Sequence, residues 1–410
     1  MRNLSNKEWY EKLERYVGGG SSTGSKKAVL LPEEPAVIQR GKGCRVWDAD
    51  GKEYIDFRNG LGPVTLGYGY PELNQAIMEQ MEYGFVYGHP TGLEAEVAEL
   101  FSKVVPSAEK VRFLKTGGEA CSAAIRLARA YTGKDHIIQI GYNGWLNSLA
   151  SGARVNPREV SKGAPLGVPQ QISDLYHAVR WADEEAIKNL FANYKGQVAA
   201  VIIAADYANM EEGKNFYPFL REITRENGAL LIYDEIVTGF RIAMGGVQEY
   251  FGVLPDLSVF AKGIANGMPL SVFCGRADVM DMLTKGATVS STYGGEALSL
   301  AACKKVIEIY QRENICRYLW DAGGMLWSQV NDLFDKYHIP VKVKGFWPCP
   351  TFVPQEDAPD NINSSFFRLA YKHGVSLYNV SYVNFSHKGE DIAETVRRLE
   401  GAVSELASVL

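Results

Sequence analysis

No stretch of this 410-residue chain approaches the ~18 uninterrupted apolar residues of a membrane span. Long basic tracts are missing too, and the net charge is −5 at pH 7, so nothing argues for a nucleic-acid partner. The segment from Met1 to Tyr10 lacks the apolar centre of a signal peptide. Cysteine is scarce. Six are present, none in CxxC or CxxH spacing, and the six histidines are equally dispersed. That pattern excludes a zinc ribbon and a disulfide framework, and it implies free thiols in a reducing cytoplasm with no bound metal. Repeats and low-complexity tracts are also lacking. What is there is ordinary globular composition, 46% hydrophobic and 22% charged, on a chain long enough to bury a large core beside a smaller domain.

Residues 5–17 carry a helical pattern on Trp9, Leu13 and Tyr16, broken by the Gly18–Ser25 loop. Arg45–Phe57 reads as a hairpin with Asp50-Gly51 at its turn. Helical periodicity follows at 71–83 and 92–104. From about 110 to 275 short apolar strands alternate with helices, at 111–114, 136–140, 198–204, 229–233, 257–260 and 270–274. Such alternation implies an α/β fold with a mainly parallel sheet covered on both faces. Helices are expected at 299–313, 318–336 and 389–409. These readings place a large domain at 60–300, with 1–59 and 301–410 joining in a small α+β domain.

Two strand ends carry the chemistry. Leu230-Leu231-Ile232-Tyr233-Asp234 delivers a carboxylate, and Val259-Phe260-Ala261-Lys262-Gly263 delivers a lysine into a glycine-punctuated turn. Taken singly, Asp234 reads as a helix cap and Lys262 as a solvated cation. Together they suit a pyridoxal phosphate (PLP) site, in which the amine holds the cofactor aldehyde and the acid keeps the pyridine nitrogen protonated. Thr116-Gly117-Gly118 follows a strand and opens a helix, so its amides and the helix dipole form an anion site suited to phosphate. Alone, a Gly-Gly before a helix is a plain turn. Tyr142, with Asn143, follows the next strand and could stack on a planar ring or simply pack in its loop. Ile236 could close a ring face or belong to the core. Thr292, in Ser290–Ala297, sits in a second candidate phosphate loop that equally reads as an N-cap.

With these residues in view, the chain resembles the class III (omega-type) PLP-dependent aminotransferases of fold type I, over nearly its whole length. The branch it looks most like is glutamate-1-semialdehyde aminomutase. The resemblance is carried by Trp47–Phe57, Gly62-Pro63, Leu66-Gly67, Thr116–Ala120, Ala128–Gly133, Tyr142–Gly144, Asp234–Arg241, Gly245–Glu249, Phe251–Leu257 and Ala261–Gly263. It implies that Lys262 binds PLP covalently and shuttles protons, and that Asp234 pairs with the pyridinium. It further implies that Ile236 and Tyr142 sandwich the ring and that Thr116, Gly117 and Gly118 bind phosphate. Thr292 would reach the cofactor of a neighbouring subunit in a homodimer with shared active sites.

Departures from the family bear on substrate. Lys115 and Asn143 replace the family's Asn and His, and Glu296 replaces an Asn. The carboxylate-binding Arg of the aminomutase falls near Ser25, with Lys26 and Lys27 alongside, and Ala204-Ala205 stands where relatives carry Glu-Pro. Gly152–Pro169 matches the aminomutase gating loop in position, and Arg154 or Arg158 there either contacts substrate or is solvated. Losing the Arg weakens an aminomutase reading. Acids at Glu296, Asp206, Glu211 and Glu212 favour a cationic substrate if their loops face the site. The expectation is therefore an aminotransferase moving an amino group from a donor such as glutamate to an aldehyde or ketone. An oxidised amino sugar of aminoglycoside antibiotic assembly is one such acceptor. The alternatives are the 2,1-aminomutase and an epimerase on the same scaffold.

Overall fold

A computed structural model describes residues 4–146, 152, 154, 157–161 and 164–410. The chain separates into two compact units, Met1–Pro71 with Arg317–Leu410, and Glu72–Cys316. The border expected at 300/301 falls inside the helix Ala297–Glu313, which belongs whole to the second unit.

The second unit is built on a seven-stranded sheet ordered β4-β10-β9-β8-β7-β5-β6. The strands are β4 (Lys110–Leu114), β5 (His136–Ile140), β6 (Tyr176–Val179), β7 (Val198–Ala204), β8 (Leu230–Asp234), β9 (Leu257–Phe260) and β10 (Ser271–Gly275). β6, β5, β7, β8 and β9 run parallel, while β10 is antiparallel to both of its neighbours, β4 and β9. Every residue of β7, β8 and β9 is buried, as expected of a parallel sheet covered on both faces. Six strands lie where the apolar runs place them. β6 was missed, because Tyr-His-Ala-Val is short and carries a polar His177.

The helix Gly117–Thr132 crosses the centre of this sheet. Its buried face is mostly small, with Ala120, Cys121, Ala123, Ala124 and Ala128 joined by Ile125 and Leu127. Short side chains let it pack closely onto Ile137, Ile202, Ile232 and Val259. It begins at the Thr116 cap and ends on Gly133 at φ +67°, a left-handed stop that suits glycine.

The first unit contains the sheet β1-β2-β3-β13, formed by Ile38–Lys42, Arg45–Asp48, Glu53–Asp56 and Val375–Ser376. β2 and β3 make the expected hairpin around Asp50-Gly51. A two-stranded ribbon, β11 (Val341–Lys344) with β12 (Thr351–Pro354), also lies in this unit, as do the helices Asn6–Tyr16, Ile362–Lys372 and Gly389–Ala407 and most of Ile315–Lys336. Among the described residues no helix is long and apolar enough to cross a membrane.

Candidate active site

β8 ends on Asp234, which is buried. Its Oδ1 accepts the Ile236 N–H at 3.0 Å. Its Oδ2 accepts Asn143 Nδ2 at 3.1 Å and the Cys121 thiol at 3.6 Å. Burial pushes the Asp234 carboxyl above its ordinary range, against the pull of those donors and of the Lys262 charge. A cationic partner would lift that penalty, and Lys262 lies close enough to act on it.

Lys262 follows β9, the parallel neighbour of β8, whose Val259 is level with Asp234. Parallel strands deliver their carboxyl ends to one edge, so the acid and the amine arrive together. Lys262 is half-buried at φ +50°, a left-handed conformation unusual for a residue with a Cβ. Such backbone strain is held by surrounding structure and clusters at functional sites.

The helix N-terminus at 116–118 forms the next wall. Thr116 caps the helix in a box with Glu119, whose carboxylate accepts the Thr116 N–H at 2.8 Å and hydroxyl at 2.9 Å. The Thr-x-x-Glu signature of this box was readable in the sequence. The amides of Gly117 and Gly118 have no acceptor within the helix and face outward from it. A Cβ on Gly117 would collide with Ile236 Cδ1. One on Gly144, at φ +87°, would come within 2.6 Å of Gly118 Cα. These glycines let the helix start, the β5 loop and the β8 loop converge. Tyr142, in the β5 loop, is half-exposed, and burial together with the nearby Cys121 and Asp234 raises its phenol.

Asn143 is fully buried, accepts Gln139 Nε2 at 3.1 Å and donates to Asp234 Oδ2 at 3.1 Å, so it acts on the acid. Cys121 and Gln139 were not picked out from the sequence. The one available signal was a lone amide in the apolar run Ile137-Ile138-Gln139-Ile140. Thr292 is not brought to Asp234 and Lys262. It is exposed and lines a groove with residues 85–91, Glu94 and Gly294–Glu296.

The loop acids are also not as expected. Glu296 pairs with Lys115 at 2.8 Å and caps the helix Ala297–Glu313 through the N–H groups of Leu298 and Ser299. Asp206 pairs with Arg158 at 2.7 Å, Glu212 with the same arginine, and Glu211 with Lys214. Every one of these acids has a basic partner, with Asp206 and Glu212 sharing one arginine, which weakens the electrostatic case for a cationic substrate. Arg158 is thereby committed to two carboxylates, and Arg154 donates to Ser161 Oγ at 2.8 Å. In the first unit Lys27 pairs with Glu14 at 2.7 Å, and the Ser25 carbonyl accepts from Arg58 at 2.6 Å.

A buried acid, an adjacent amine, a glycine-lined helix start, an aliphatic side chain and a phenol converge here. That set fits PLP: the glycine cradle has room where a Cβ would close it, and burial still raises the acid's carboxyl against its donors and the Lys262 charge.

A family model described as aminotransferase class-III matches residues 29–400. The glutamate-1-semialdehyde 2,1-aminomutase of Persephonella marina is 34% identical, covering 97% of this chain and 98% of that protein. The FumI protein of Sphingopyxis sp. MTA144, solved in its PLP internal aldimine form, superposes with a TM-score of 0.86. It is 25% identical over 98% of this chain and 96% of its own. An omega-transaminase from Sphaerobacter thermophilus gives a TM-score of 0.88 and 25% identity over 99% and 98% of the two chains. The chain therefore belongs to the class-III aminotransferases, PLP-dependent enzymes of fold type I.

Proposed function

We propose that this chain moves an amino group from a primary-amine donor, glutamate or a similar amino acid, to an aldehyde or ketone acceptor in a ping-pong cycle. The observation that carries the reading is the juxtaposition of buried Asp234 and Lys262 at neighbouring strand ends. Bound PLP supplies an electron sink for charge developing on the carbon beside the reacting nitrogen. Asp234 holds a proton on the ring nitrogen. Lys262 Nζ would hold the cofactor and, once displaced by the donor amine, would carry the proton from the donor α-carbon to the cofactor's aldehyde carbon, water then releasing the keto acid; the acceptor half-cycle would run in reverse. Ile236 and Tyr142 flank the ring, while Thr116, Gly117 and Gly118 hold the phosphate. Asn143 contributes through Asp234.

The shared-site homodimer is part of the same proposal. Met78, Met81, Tyr83, Phe85, Val86 and Tyr87 are each more than 40% exposed, beside the Thr292 groove. An apolar strip of this kind marks an association surface, and a second copy covering it would bring Thr292 to the partner's phosphate. The six free thiols suit a cytoplasmic setting.

Because Glu296 and Glu211 each have a lysine partner and Asp206 and Glu212 share Arg158, little charge is left to select a polycationic amino sugar, and a small aldehyde or ketone suits the site as well. The second reading, a 2,1-aminomutase, is favoured by the 34% identity over nearly the whole chain. Incubation with glutamate 1-semialdehyde and no external donor separates the two. Isomerisation without donor establishes the mutase, whereas keto-acid release that requires added glutamate establishes the transaminase. Retained turnover in Lys262→Ala would end both.

A further inference from the structure

The edge of the seven-stranded sheet opposite Asp234 and Lys262 holds a cavity of about 550 Å³, at the starts of β8 and β9. Arg221 and Arg225 line it from the helix Gly213–Glu226. Residues four apart share a helix face, and a like-charged pair at that spacing is unfavourable unless something negative offsets it. The Arg221 side chain is 12% exposed and meets one acid, Asp256, at 2.8 Å. That acid is shared. Its other oxygen takes Arg276 at 2.8 Å, and it also accepts the Leu231 N–H at 2.8 Å. Arg221 Nε is buried with no acceptor, and a buried donor left over is costly. Arg225 is exposed, and its guanidinium has no partner among the described residues. Other acids nearby are engaged: Glu109 accepts the Ala277 N–H at 2.8 Å, and Asp278 is held by Arg276 and Tyr131. The carbonyls ending the helix do not occupy Arg225 either, since Lys134 Nζ takes those of Asn227 and Gly228 at 2.9 and 2.6 Å.

We infer that this cavity is an anion site, in which Arg221 and Arg225 take the oxyanion group, phosphate or carboxylate, of a small molecule. Guanidinium forks match both groups in geometry and charge. The volume falls in the range of small-molecule sites and exceeds what a bare phosphate fills. Pro106, Leu254 and Pro255 give the organic body of such a ligand an apolar lining to pack against. The site is separate from the glycine cradle at Thr116–Gly118, which follows the other end of the strands, and it does not depend on which reaction the Lys262 site runs.

Calorimetric titration of the PLP-loaded protein tests this, because the cofactor then occupies the cradle at Thr116–Gly118. Inorganic phosphate and succinate are the two probes. At least one should bind with saturation at one site per chain, and the probe that binds identifies the head group. Arg225→Gln should weaken that binding about tenfold, and Arg225→Glu should abolish it. Lys103→Gln removes an exposed cation from the helix Gly92–Val104 and should leave binding unchanged. Arg225 is itself exposed, so its variants keep the core, and their melting curves check this. Failure of both probes to saturate would overturn the inference. So would the same dissociation constant in wild type and Arg225→Gln, which would place the probe elsewhere. An equal loss in Lys103→Gln would also overturn it, since the protein would then be responding to net charge alone.

Discussion

Lys262 combines a reactive amine with a left-handed backbone at φ +50°. For a residue with a Cβ that conformation costs about 1–2 kcal/mol relative to an ordinary helical one. Glycine tolerates it, so cofactor-free Lys262→Gly should be more stable than cofactor-free Lys262→Ala by up to about 1 kcal/mol, as read by urea denaturation. Both variants should lose turnover by about 10³-fold or more. The Lys115–Glu296 pair makes a second case. Both side chains are largely buried, at 14% and 10% exposure. Removing one partner strands a buried charge, so Lys115→Met should cost about 3 kcal/mol, while Lys115→Met with Glu296→Gln should recover most of it. Denaturant midpoints of wild type and these two variants decide this. Here single positions in the sequence were misleading. Glu296 looked like a substrate-facing acid, but its partner lies 181 residues away in the chain, and no local pattern announces a tertiary ion pair.

At the scale of elements, the helix start at Gly117, the β5 loop and the β8 loop meet through glycines. Gly144→Ala adds a Cβ that meets backbone at 2.6 Å on a residue at φ +87°. The loop must shift away from Gly118, so melting temperature and PLP affinity should fall together. Gly117→Ala meets only the flexible end of Ile236. It should lower PLP affinity with little change in melting of the cofactor-free protein. Glu235, next to Asp234, accepts the N–H groups of Val247 and Gln248 at 2.9 and 3.2 Å. Burial pushes its carboxyl from 4.5 up to about 7. Between those values the folded state keeps a proton that the unfolded chain has lost, so this group's contribution to stability declines as pH rises through the window. Glu235→Gln should flatten that decline relative to wild type in melts from pH 4.5 to 7. The elements that were legible in sequence share one property, a long or fully apolar pattern. β7 and β8 declared themselves that way, and the anchoring pair was read from the ends of β8 and β9. β6 and the exposed β1 did not, since an edge strand need not be apolar, and the Gln139–Asn143–Asp234 chain could not be read because its members come together only when β5 and β8 share a sheet.

For the whole molecule, the exposed strip from Met78 to Tyr87 sets the expected assembly. Sedimentation should give a dimer. Replacing Tyr83 and Phe85 together by Glu should yield a monomer with little turnover, since Thr292 would no longer reach a partner's site. A monomeric wild type with full activity would contradict the shared site. The pairing of β3 with β13 has another consequence. Ile55 and Asp56 lie level with Val375 and Ser376, so this sheet joins the two ends of the polypeptide. During synthesis the unit holding Asp234 and Lys262 has left the ribosome complete while the N-terminal strands still wait for their last neighbour. Domains that emerge first tend to fold first. Translation-arrested chains of increasing length should therefore show two separate force events. The early one would follow the release of Cys316, and the late one only after Ser376 clears the exit tunnel.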